Sequence, residues 1–130
     1  MIEHLPVEAL ASFEDRWHFS HLVSTRGLLY LSGVTGTAED GSVDPDPRTQ
    51  FGQAFEQLEL YLGAAGATIA DVVELTTYHV HLSAHLEVFC EVKDVHVPAP
   101  YPAWSAIGCS ELITPGALVE IRAIAADPRV

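Results

Sequence analysis

Apolar side chains recur at Phe51, Phe55, Leu58 and Leu62, which is the spacing of one helical stripe. Ala54 and Tyr61 widen it, so a helix is predicted over residues 48–65, with Gly63 and Gly66 supplying the stop. The short run at 28–32, closed by Gly33, reads as a buried strand. Residues 72–82 are rich in β-branched and aromatic types and predict a long strand. A second helix is expected from Ser83 or Ala84 to His96, with Ser83 as N-cap. Its apolar residues Leu86, Val88, Phe89, Val92 and Val95 extend more than halfway round, which predicts deep burial. Pro98, Pro100 and Pro102 forbid helix and impose an extended approach to a strand at 103–109. After a Pro115-Gly116 turn, residues 117–125 form a last strand. Val119, Ile121, Ala123 and Ala125 take one face, and Leu118, Glu120, Arg122 and Ile124 the other. Residues 1–20, anchored by Phe13, Trp17 and Phe19, read as an edge strand or irregular lead-in. Residues 36–47 read as a solvent loop and 127–130 as a polar tail.

This order predicts a single α+β domain spanning residues 1–130, a mixed sheet of four to six strands with two helices on one face. Apolar residues make up 48% of the chain, enough for a packed core, and charged residues only 18%. The low charge suggests that the open sheet face is covered by a neighbouring subunit. The formal charge of −12 lacks the basic footprint of a general nucleic-acid binder and disfavours an anionic membrane surface. No apolar run approaches a membrane span of about 18–20 residues. The first six residues lack the pattern of a secretory signal, and Cys90 and Cys109 form no framework or metal spacing. A cytoplasmic setting follows as the expectation. Both cysteines read as buried small hydrophobes.

Glu120 interrupts an apolar strand. On a subunit-facing surface its carboxyl would be desolvated and suited to general acid–base work; the alternative is an ion pair with Arg122. Ser32, at a strand end, could hold a ligand carboxylate or water, or simply make a turn. Trp104 reads as core, interface or pocket wall. His79 and His81 share a strand face with His85 nearby, yet no metal-binding motif surrounds them, and ordinary polar roles are expected.

Several segments carry a further signal: Gly27-Leu28-Leu29-Tyr30-Leu31-Ser32-Gly33, Gln53-Ala54-Phe55-Glu56-Gln57-Leu58, and Ala64-Ala65-Gly66-Ala67-Thr68-Ile69-Ala70-Asp71-Val72-Val73. Pro102-Ala103-Trp104-Ser105 and Val119-Glu120-Ile121 complete the set. Together, over residues 17–126, they resemble the Rid family, the reactive-intermediate deaminases also called YjgF-like or L-PSP endoribonuclease-like proteins. The resemblance implies a chorismate-mutase-like fold and a homotrimer with ligand clefts between subunits. It also implies hydrolysis of enamines or imines to a keto acid and ammonia without metal or organic cofactor. By position, Ser32 and Glu120 match the family's pocket serine and water-activating glutamate. Trp104, followed by Ser105, stands where the family has its carboxylate-binding arginine. Ala106 replaces a cysteine and Phe19 a tyrosine, and the asparagine of the second helix falls near Phe89 or Cys90. An indole offers one N–H and an apolar face where a guanidinium offers a bidentate clamp, so a more apolar, planar ligand is expected. The function classes that follow are a hydrolytic deaminase of planar small-molecule intermediates, or a non-catalytic small-molecule-binding or regulatory trimer.

Overall fold

The computed structural model describes residues 1–130. Six strands form one sheet in the order β1-β2-β3-β6-β4-β5. They are β1 (Glu3–Leu5), β2 (Leu22–Thr25), β3 (Leu28–Leu31), β4 (Val72–Val80), β5 (Ala103–Cys109) and β6 (Val119–Ala126). Only β4 and β5 run parallel, joined by a helical crossover; every other pair is antiparallel. Arg26 and Gly27 both take positive φ between β2 and β3, as a two-residue hairpin turn requires.

The helices are α1 (Ala11–Trp17), α2 (Pro47–Gly63) and α3 (Leu82–His96). Asp46 caps α2 by accepting from the Thr49 backbone N–H at 3.0 Å, and Pro47 opens the first turn. The predicted stripe is realised: Phe51, Ala54, Phe55, Leu58, Tyr61 and Leu62 are all buried. They pack with Phe89 of α3 and with Val119, Ile121, Ala123 and Ala125 of β6, so α2 and α3 cover one sheet face.

Several expectations need correction. Residues 1–20 hold the expected edge strand, β1, but also a helix, α1, whose signal was the Leu10-Phe13-Trp17 spacing. The long strand ends at Val80 because His81 turns into the left-handed region (φ 57°). α3 therefore starts at Leu82, with Ser83 inside it and no side-chain cap. α3 is only partly buried, since Val95 lies 81% exposed and Leu86 and Val88 are half-buried. Cys90 and Cys109 are likewise half-buried rather than core. The tail is anchored. The buried Asp127 accepts from Ser24 Oγ at 2.6 Å and from Arg129 Nη2 at 2.8 Å, and Arg129 also reaches Glu3.

Candidate functional site

The register of β3 against β6 runs regularly to Tyr30–Ile124. It resumes at Val34–Ile121 with one extra residue on the β3 side. The bulge falls within residues 31–33, opposite Arg122 and Ala123, and sets Gly33 against the side chain of Glu120. A Cβ on Gly33 would lie 2.5 Å from Glu120 Cδ, so any larger residue here would displace the glutamate side chain. Ser32 is held from two sides: its N–H donates to His21 O at 3.0 Å and its Oγ to Ser20 O at 2.6 Å.

Glu120, Ser32, Gly33 and Phe19 line one cavity of about 670 Å³. Helix α1 contributes Phe13, Arg16 and Trp17 to it, and α2 contributes Gln57 and Tyr61. Gln57 fixes the 35–37 segment, accepting from Gly36 N–H at 2.9 Å and donating to Thr37 O at 3.2 Å. Glu39 and Asp40 reach the rim, and Arg16 is the cavity's one lysine or arginine. Glu120 is half-buried, and burial pushes its carboxyl above the ordinary glutamate range. It makes no ion pair with Arg122. Burial likewise pushes the Tyr61 phenol upward, helped by the negative charges of Glu120 and Glu14.

Trp104, Ser105 and Ala106 lie outside this cavity, on edge strand β5. Trp104 registers with Leu75 and packs towards α3, with Phe89 at 6.2 Å between ring centroids. Its indole Nε1 donates to Thr77 Oγ1 at 3.0 Å, and Thr77 Oγ1 lies 2.7 Å from His79 Nε2. Glu120 registers instead with Tyr78 on the opposite, open face. Ser105 and Ala106 are exposed.

The histidines do not converge. His79 is buried against Phe89, His81 has left the strand and is exposed, and His85 packs by its edge on Phe51. No three His, Cys, Asp or Glu side chains assemble a metal-binding group. His21 is buried and receives the Val7 N–H on Nδ1 at 3.1 Å, tying the N-terminal segment to β2.

The family model described as Endoribonuclease L-PSP matches residues 10–127. The chain belongs to this family. Among its L-PSP relatives, RutC family protein YjgH of Escherichia coli K12 is 35% identical over 111 residues, 85% of this chain and 83% of that one. A solved structure of protein YjgH superposes with TM-score 0.84 at 34% identity, over 90% of this chain and 89% of the other. Rv2704 of Mycobacterium tuberculosis, a member of the YjgF/YER057c/UK114 family, gives TM-score 0.82 at 29% identity, over 97% and 99%. RidA of the Antarctic bacterium Psychrobacter sp. PAMC 21119 gives 0.77 at 29% identity, over 83% and 87%. The L-PSP fold is thus the α+β architecture that the residues predicted.

The residues that sequence reasoning missed are Phe13, Arg16, Trp17, Gln57 and Tyr61. Gln57 and Tyr61 stand one helical turn apart on α2 and so share a face, but nothing in their spacing marks that face as a cavity wall.

Proposed function

We propose that this chain is a hydrolytic deaminase of planar imines or enamines. The reading rests on Glu120, a carboxyl whose proton affinity is raised by burial, set in a cavity between a bulge and α1. Water adds to the C=N carbon, forming the C–O bond as the π pair moves to nitrogen. Glu120 takes the proton from the water and passes it to nitrogen. A second transfer from the new hydroxyl lets the C–N bond break, releasing ammonia and a carbonyl compound. Ser32 shapes the floor and Phe19 one wall. The kinship with RidA supports this class. The charge of −12 favours a small molecule over RNA, whatever the family's name.

Trp104 and Glu120 lie on opposite faces within one chain, which supports a homotrimer in which the Trp104 edge of one subunit completes the cleft of the next. Exposed Tyr30 and Ile107 on the open sheet face are consistent with such a neighbour. No helix is long and apolar enough to cross a membrane. The test couples an amino-acid oxidase, which generates 2-imino acids, to keto-acid release. The wild type accelerates release, and Glu120→Gln loses about 100-fold or more. The rate of wild type rises with pH through a pKa above the ordinary glutamate value, and this limb is missing in the variant. A folded wild type that binds planar ligands without accelerating release would instead establish a small-molecule-binding trimer.

A further inference from the structure

Lys93 lies on α3, one helical turn beyond Phe89, and is only 7% exposed, an uncommon place for a lysine. Its Nζ sits 4.4 Å from the ring centroid of Trp104 and 5.9 Å from that of Tyr101. Aromatic faces attract an ammonium but accept none of its three N–H donors in full hydrogen bonds. No carboxylate pairs with it and no carbonyl receives it. In contrast, Arg48 and Arg129 are each matched to an acid. The nearby acids are engaged elsewhere or face solvent: Glu91 holds Arg48, Glu59 meets His96, and Asp94 is exposed. Its stem is buried while the ammonium tip keeps solvent access, so in a chain with 18 acidic residues and six basic ones it is a cation without an acid partner, open to an anion. The ring beneath it is fixed, since Thr77 holds the Trp104 indole and Phe89 backs it. Tyr101 is 69% exposed, so the ammonium is reached from the Tyr101 side.

We propose that Lys93 is an anion-binding residue, receiving the carboxylate of a planar monocarboxylate whose body lies against Tyr101 and the edge of Trp104. One cation suits a single negative charge, and the strongly acidic surface repels polyanions. This deepens the reading above and rests on Trp104 facing the ligand cleft. The cation that position 104 lacks is supplied from the helix beside it.

The chain has two tryptophans, each beside one cation, since Arg16 stacks 5.3 Å over Trp17. Their two indole N–H resonances in a ¹H–¹⁵N spectrum therefore report two places at once. Benzoate is titrated into the full-length protein, with benzamide as the uncharged control. Benzoate is expected to shift the Trp104 signal and benzamide not. Lys93→Met weakens benzoate by about tenfold or more, and Lys93→Arg restores it to within about threefold. An unchanged Trp17 signal shows that each variant is folded. Equal benzoate affinity in Lys93→Met, or a shift confined to Trp17, overturns the assignment. Failure of the oxidase-coupled assay with this benzoate pattern intact removes the deaminase reading alone. Deamination unaffected by Lys93→Met, with no Trp104 shift, removes the Lys93 assignment alone.

Discussion

Thr77 Oγ1 receives the indole N–H of Trp104 and lies within hydrogen-bond distance, 2.7 Å, of His79 Nε2. His79 Nδ1 is buried without a partner, and the ring packs against Phe89. Such a ring resists a second proton, and burial lowers its pKa from 6.5 to about 4. Between those values the unfolded chain binds a proton that the folded chain refuses. Stability therefore falls as pH drops from neutral towards 4, by about 3 kcal/mol from this residue. His21, also lowered by burial, acts in the same direction, while Glu120, raised by burial, opposes both. Urea melts across this range should show a shallower loss in His79→Leu than in wild type. Glu120 itself was legible because a lone carboxylate broke an apolar alternation. Lys93 was not, because a lysine within a helical stripe reads as a solvated position until the rings over it are seen.

Among the elements, α2 shows how much one polar residue on an apolar stripe can organise. Gln50 is fully buried, and its amide donates to Asp44 O at 3.0 Å and Gly116 O at 3.2 Å while accepting from Leu118 N–H at 2.6 Å. It thereby joins the 36–47 loop to the approach of β6. Gln50→Ala leaves these backbone groups unpaired and should cost about 2–3 kcal/mol in chemical denaturation. The stripe of α2 was plain in the sequence because its apolar residues keep helical spacing without a gap. The α3 boundaries were less so, since a left-handed His81 sets the start and no residue type announces that. α1 was hidden for a different reason: its seven residues carry Arg, Asp and Glu between the aromatic anchors, so charge masked the period.

For the whole molecule, the sheet's open face sets the expectation of assembly. Tyr78 and Ile107 align across β4 and β5 on the face turned away from α3. Light scattering coupled to gel filtration should return three times the 14.1 kDa chain mass, and Ile107→Lys should shift that mass towards the monomer. The clustering of apolar and charged residues made the two-layer domain readable. The placement of Glu120 and Trp104 on opposite faces was not, because it depends on how β4 pairs with both β5 and β6.

Strand β6 sits between β3 and β4, although it is the last strand made. During synthesis on the ribosome, the β2–β3 hairpin and the β4-α3-β5 crossover each emerge early but have no shared edge to close on. Until residues 119–126 are available, both present bare strand edges and the apolar faces of Phe51, Phe55 and Phe89. The nascent chain is thus most open to chaperones and to mispairing until that strand emerges, and a single closing strand ends the exposure.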